Sequence, residues 1–343
     1  MDAAARAPAP ADAAATTAAG GQQAGSAPGP APAPADAAAT TAAGGQQAGS
    51  APGPAPAPAT AATPYGAAET LGPLVRRVTA RNPGPFTGTG TGTYIVGRGR
   101  VAVIDPGPDD PAHLSALMAA LEGERVEAIL VTHTHRDHSP AARPLAAATG
   151  APVLGCAPLA LRDDGPRVEE GFDTGYAPDA VLADGEAVDG PGWRLRALHT
   201  PGHTSNHLCF ALEAERALFT GDHVMGWSTT VIVPPDGSMR AYLDSLKRVA
   251  ERDDAILFPT HGPPVTRPQS HVRGLILHRL QREAQIARLL AEGVDAIPAL
   301  VERIYAGVDR RLWPAAGRSV EAHLIALAEA GRAVGEGGRW RPA

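Results

Sequence analysis

Thr132-His133-Thr134-His135-Arg136-Asp137-His138 follows directly on the apolar run 126–131. Three imidazoles and one carboxylate thus crowd into positions 133–138, where a strand is expected to end. Neutral imidazole nitrogen and carboxylate oxygen are the usual donors for zinc and similar divalent cations, and catalytic sites leave one coordination position to water. A single loop histidine is more often solvated than metal-bound. Four donors at this spacing reverse that expectation and point to metal chemistry.

Further donors follow, each just past a run that reads as a short strand. Residues 193–198 deliver His203 in Thr200-Pro201-Gly202-His203-Thr204. Residues 217–220 lead into Gly221-Asp222-His223, and 255–258 into Pro259-Thr260-His261-Gly262. Groups placed on loops at strand ends converge on one sheet edge, where a rigid scaffold positions side chains distant in sequence. Gly202, Gly221 and Gly262 permit tight turns beside them.

The ordered set His133-X-His135-X-Asp137-His138, His203, Asp222, His261 resembles the five-motif signature of the metallo-β-lactamase superfamily, over about residues 71–266. Asp105, in Val103-Ile104-Asp105-Pro106-Gly107, is similar to that family's early buried aspartate. The resemblance implies that His133, His135 and His203 hold one metal, that Asp137, His138 and His261 hold a second, and that Asp222 bridges them. It implies two zinc ions per chain, with iron or manganese as the other candidates, sharing a hydroxide that hydrolyses substrate. Asp137 would also orient that water or take its proton.

Alternation of short apolar runs with helical patterns gives the architecture. Residues 74–79, 93–96 and 101–104 read as strands, and 111–121, 141–148 and 238–251 as helices. In the last of these Met239, Tyr242, Leu243, Leu246 and Val249 make one apolar face. The resemblance turns this into an α+β, four-layer αβ/βα sandwich with metals at one edge.

Beyond His261 the pattern becomes helical, with Val272, Leu275, Ile276, Leu280, Ile286, Leu289 and Leu290 recurring up to Gly293. Helices are expected over 299–305 and over 319–330, the latter capped by Ser319, and a hairpin over 332–341. Three helices and a hairpin make a winged-helix pattern. Together with Asn82-Pro83-Gly84-Pro85-Phe86-Thr87 and Thr93-Tyr94, it resembles the lactamase-β-like subgroup. Gly92-Thr93 departs from that subgroup's common Asn-Thr, which removes a substrate-side amide. The expected organisation is a tail over 1–64, a hydrolase domain over 65–267 and a winged-helix domain over 268–343.

Residues 7–34 recur as 31–58, a 24-residue Ala/Pro/Gly-rich unit with almost no charge and no aromatic residue. Such sequence offers too little apolar surface to offset ordering entropy, so the tail is expected to be disordered. It lacks the pattern of a secretory or organelle signal, and no segment has the apolar length to span a bilayer, so a soluble, cytoplasmic protein is expected. Cys156 and Cys209 sit in apolar runs and read as buried free thiols. A net charge of -6 disfavours a surface generally coated by nucleic acid.

The leading function is a dinuclear zinc hydrolase of an ester, thioester or phosphodiester. Asp222 stands where zinc β-lactamases with this ligand set place cysteine, which disfavours antibiotic hydrolysis. Only 261 − 222 = 39 positions separate Asp222 from His261, too few for the domain inserted there in related nucleases. His135 is retained where the iron flavoprotein reductases carry glutamate. Glyoxalase II-like thioesterases share all the ligands, and a mononuclear iron dioxygenase would use fewer of them. A winged helix raises single-stranded RNA cleavage, or nucleic-acid binding with a secondary metal site, as alternatives. Glu321 and Glu329 beside Arg318 and Arg332 leave the candidate recognition helix without a strong positive balance. Partners are therefore expected to be a small-molecule or thioester substrate, with single-stranded RNA second and no membrane. Oligomeric state is not legible.

Overall fold

The computed structural model describes residues 63–159 and 171–343. The tail expected to be disordered lies outside the described residues up to position 62. The first sheet runs β1 (Ala68–Thr70), β2 (Val75–Thr79), β3 (Gly92–Arg98), β4 (Arg100–Ile104), β5 (Arg125–Val131), β6 (Val153–Gly155) and β7 (Ala180–Val181), in that spatial order. It is antiparallel from β1 to β4 and parallel from β4 to β7. Parallel pairing requires crossovers, and two of these carry α1 (Pro111–Ala120) and α2 (Ala142–Thr149). Asp110 caps α1 by accepting the Ala112 N–H, and Pro111 stands in the first turn, where no N–H is needed.

The second sheet contains β8 (Ala187–Gly190), β9 (Trp193–His199), β10 (Leu208–Leu212), β11 (Ala217–Gly221) and β12 (Ile256–Pro259). Its pairs are antiparallel except β11 with β12, which are joined through α3 (Met239–Ala250) and run parallel. Along β10 the side chains divide by parity. Leu208, Phe210 and Leu212 enter the core shared with Ile95 and Val103 of the first sheet. Cys209 and Ala211 face the other way, into a core with Tyr242 and Leu246 of α3. Burial on both faces explains why β10 is apolar throughout rather than alternating. The Tyr94 hydroxyl donates to the Pro259 carbonyl at 2.6 Å, and its ring meets Phe219 edge-on at 5.0 Å, which ties the sheets together. With α1 and α2 on the first sheet and α3 on the second, the expected four layers are present.

The C-terminal region consists of α4 (Pro268–Ala291), α5 (Ile297–Ile304), α6 (Trp313–Glu329) and the hairpin of β13 (Ala333–Glu336) with β14 (Arg339–Pro342). Its own core joins Ile286, Leu289, Leu300, Val320 and Leu324. The first half of α4 belongs elsewhere, because Val272 and Leu275 pack with Tyr242 and Leu246. One helix thus contributes to two cores. Two expectations need correction. Ser319 does not cap α6, which begins at Trp313 with Pro314 in its first turn and buries Ser319 mid-helix. Gly317 masks the helical signal there, and proline in a first turn costs nothing. Leu280, counted with the apolar stripe of α4, is 48% exposed. Cys156 and Cys209 are buried and free. Among the described residues no helix is long and apolar enough to cross a membrane.

Candidate metal centre

Strand order decides where the donors meet. The parallel pair β4 and β5 ends in Asp105 and in the His133 loop, while the parallel pair β11 and β12 ends in Asp222 and His261. The turn after β9 supplies His203. Gly221 (φ +49) makes one of these exits possible, since a Cβ there would lie 2.6 Å from His207 Nε2. Gly202 (φ +144) makes another, because a Cβ would strike the Tyr242 backbone at 2.3 Å.

Every residue of the expected ligand set lies in one buried cluster, in two groups: His133, His135, His203 and Asp222, and Asp137, His138 and His261. In the first, His135 Nδ1 lies 2.9 Å from His133 Nε2 and 3.1 Å from His203 Nε2. In the second, Asp137 Oδ2 lies 3.2 Å from His261 Nε2 and 3.4 Å from His138 Nε2. Asp222 faces both: Oδ2 is 3.7 Å from His203 Nε2, and Oδ1 is 3.3 Å from His261 Nε2 and 3.4 Å from His138 Nε2.

The far nitrogens of the rings determine what the near ones present. His138 Nδ1 donates to Asp105 Oδ2 at 2.9 Å, His203 Nδ1 to the Val231 carbonyl at 2.8 Å, and His261 Nδ1 to the Gly90 carbonyl at 3.3 Å. Each bond fixes a proton on Nδ1 and turns Nε2 into the cluster, where a cation would displace any second proton. His138 Nε2 and Asp222 Oδ1 are buried without hydrogen-bond partners. Imidazole nitrogens and two carboxylates converging on one buried site are the donor set of a divalent cation.

Asp105 is the hub behind the ligands. It is fully buried with φ 48, a left-handed conformation that only its surroundings stabilise. Its Oδ1 accepts the Thr132 N–H at 2.8 Å, and its Oδ2 accepts from the Thr132 hydroxyl at 2.8 Å and the Thr260 hydroxyl at 3.2 Å, besides His138.

The electrostatics divide along the same line. Burial, reinforced by His138 and His135, pushes His133 well below its ordinary value, and burial with His203 pushes His135 down to about 3. Both are neutral lone-pair donors. Burial also opposes charge on His138 and His261, but Asp137 and Asp222 overcome it, with Asp105 adding to His138. His138 stands well above its ordinary value and His261 at about 10. Burial likewise opposes Asp137 and Asp222, yet His138 and His261 hold both well below the carboxylate range.

These shifts predict a pH dependence. A histidine raised on folding stabilises fully below its unfolded value of about 6.5 and loses that contribution as pH climbs through the folded value. The depressed His133 and His135 complete their own opposite contribution about one unit above 6.5, so the Tm of the metal-free chain should fall between about pH 7.5 and about pH 10, the value reached by His261. A divalent cation takes the place of those protons and should flatten the fall. Melting curves across that range, with and without chelator, check it, and a flat alkaline profile in chelated protein would refute it.

Sequence reasoning missed two supports. His207 is fully buried and driven well below its ordinary value by burial and by His223 and His203. The neutral ring lies 2.9 Å from the Thr200 hydroxyl through Nδ1 and accepts the Asp222 N–H at Nε2, 3.2 Å away. Thr91 donates to Asp137 Oδ2 at 2.8 Å and is gripped by the Asn82 amide through two 2.9 Å bonds. The Asn82 motif was visible in the sequence, but its target was not. At Gly92 a Cβ would come within 2.8 Å of the Arg77 side chain, whose Nη1 donates to the Gly262 carbonyl at 2.8 Å. Arg77 fills the space that an asparagine would need.

Comparison with known proteins agrees with this geometry. The family model described as Metallo-beta-lactamase superfamily matches residues 86–261, and that of the Beta-lactamase associated winged helix domain matches residues 296–340. The Beta-lactamase-like protein 2 homolog of Drosophila melanogaster is 32% identical over 277 residues, covering 78% of this chain and 91% of its own. The Atrochrysone carboxyl ACP thioesterase nsrC of Aspergillus novofumigatus is 33% identical over 228 residues, and the match covers 65% of each chain. A metallo-beta-lactamase family protein from Thermus thermophilus shares the fold at 24% identity, with a TM-score of 0.64 over 80% of this chain and 100% of that one. The donor cluster, the two packed sheets and these matches lead to one conclusion: the chain belongs to the metallo-beta-lactamase superfamily, as a hydrolase with a C-terminal winged-helix domain.

Proposed function

We propose that the chain is a dinuclear zinc hydrolase whose substrate is a thioester. The observation that carries the reading is Asp222, whose two carboxylate oxygens face two separate donor groups. His133, His135 and His203 would hold one cation, Asp137, His138 and His261 the other, with Asp222 shared. When bound, such a pair supplies Lewis acidity and lowers the pKa of a water towards about 7. Asp137, steadied at Oδ2 by Thr91, orients that water and receives its proton. The water oxygen bonds to the acyl carbon, the C–S bond breaks, and the departing thiolate takes up a proton. Thioester is preferred among the bond classes because relatives carry the name atrochrysone carboxyl ACP thioesterase.

The RNA reading has less support. Arg318 is paired with Glu321 at 2.6 Å, and Arg332 is paired with Glu283, so two cations of the C-terminal region are already neutralised. The test combines elemental analysis with thiol release from an S-acyl-N-acetylcysteamine. Close to two zinc ions per chain and thiol release that stops on chelation are expected. One iron per chain would sink the dinuclear assignment, and hydrolysis of oxygen esters with inert thioesters would sink the substrate class.

A further inference from the structure

The loop 229–236 lies behind two of the candidate ligands and in front of the C-terminal helices. The Thr230 hydroxyl bonds to the Asp222 carbonyl at 2.7 Å and lies 3.2 Å from that of His223. The next residue, Val231, offers the carbonyl that takes the His203 Nδ1 proton at 2.8 Å. Asp236 closes the loop onto the same turn, accepting the Ser205 N–H at 3.0 Å and the Ser205 hydroxyl at 2.6 Å. A shift of this loop would release His203's proton-bearing nitrogen and the Asp222 backbone together.

Two arginines of the C-terminal helices grip the loop from the other side. Arg279 of α4 donates to the Thr230 carbonyl, and Arg318 of α6 donates to the Pro234 carbonyl. Arg279 is only 3% exposed and has no carboxylate partner among the described residues. Its guanidinium lies over the Tyr242 ring, 5.4 Å from the centroid. A buried guanidinium without a counter-ion is costly unless its contacts are fixed, and here Nη2 is bonded to the backbone of a ligand-supporting loop while the group lies over Tyr242.

We infer that Arg279 is a positioning residue for the metal centre, acting through the Thr230 and Val231 backbone to hold the His203 imidazole in its Nδ1–H form. The inference rests on the metal-site reading above, and it makes α4 part of the centre although no candidate ligand follows His261. Loss of a partner that orients a ligand typically costs ten- to a hundredfold in metal affinity.

Arg279→Met keeps the bulk and removes the donor, and Thr230→Val removes the hydroxyl from the same relay at its other end. In the full-length, metal-free chain, long-range proton–nitrogen spectra of the imidazoles report which His203 nitrogen carries hydrogen. Wild type should show Nδ1–H alone, and both variants a mixture. In the zinc-loaded chain, release to a colorimetric chelator should be about tenfold faster in both variants. Thr230→Ser, which restores the hydroxyl, should return both readouts to wild type. If Arg279→Met does not fold, the Thr230 pair decides. A folded variant with an unmixed His203 tautomer or wild-type release overturns the brace. A wild-type chain that takes up no metal refutes the functional reading instead, and the metal-free tautomer measurement still decides this one.

Discussion

Asp222→Ala is expected to lower metal content from two per chain towards one and to reduce hydrolysis by more than the roughly hundredfold that loss of an outer partner costs. The reason is its position. Its Oδ1 lies 3.3 Å from His261 and its Oδ2 lies 3.7 Å from His203, so each oxygen faces a different donor group. Removing it also takes one buried negative charge from a cluster in which Asp137 is the other ligand-group carboxylate. Asp222→Asn provides the comparison, because it keeps the shape and the outer hydrogen bonds while removing the charge. Elemental analysis and thiol-release kinetics on both variants, with melting curves to confirm folding, measure the effect. A folded Asp222→Ala chain with two metals and intact turnover would refute the shared-ligand assignment.

How much of this was readable beforehand follows from the range of each interaction. Donor residues such as His133 and His261 announce themselves, because their side-chain chemistry is rare after an apolar run and the runs mark strand ends. The apolar run at 208–212 announced the burial of Cys209, but not that it forms a strand covered on both faces. His207 left no comparable trace. Its role arises from β9, β10 and β11 lying side by side, which brings Thr200 and the Asp222 backbone to the two sides of one ring. Arg279 was hidden for the same reason: on a helical wheel it is one more charge on α4, and only tertiary packing turns it inward. The start of α6 was missed because Gly317 breaks the local propensity, while the core of Val320, Leu324 and Ala333 determines the helix. Pairings local in sequence are visible there, and those created by sheet order appear only in the fold.

Asp105→Ala should be the most destabilising single substitution at the centre, although Asp105 belongs to neither donor group. Its carboxylate accepts from the Thr132 N–H, the Thr132 hydroxyl, the Thr260 hydroxyl and His138 Nδ1, all of them buried. Each donor left without an acceptor in a dry interior costs about 1–3 kcal/mol. Alanine also tolerates the left-handed backbone at φ 48 less well than aspartate, which adds about 1 kcal/mol. The sum, roughly 5 kcal/mol or more, is a large share of the about 5–15 kcal/mol that holds an ordinary domain together. Asp105→Asn separates stability from metal binding. Asparagine accepts the left-handed conformation and keeps one oxygen for Thr132, but its amide nitrogen would confront the His138 Nδ1 proton donor against donor. In the neutral ring that metal binding requires, the relief is a tautomer switch that protonates Nε2, the nitrogen facing Asp222 Oδ1 at 3.4 Å. The asparagine variant should therefore fold with a modest loss in Tm and bind its second metal about ten- to a hundredfold more weakly. Denaturant unfolding of both variants, with competitive metal titration of the asparagine form, checks the pair. Wild-type metal affinity in Asp105→Asn would show that the tautomer of His138 does not depend on Asp105.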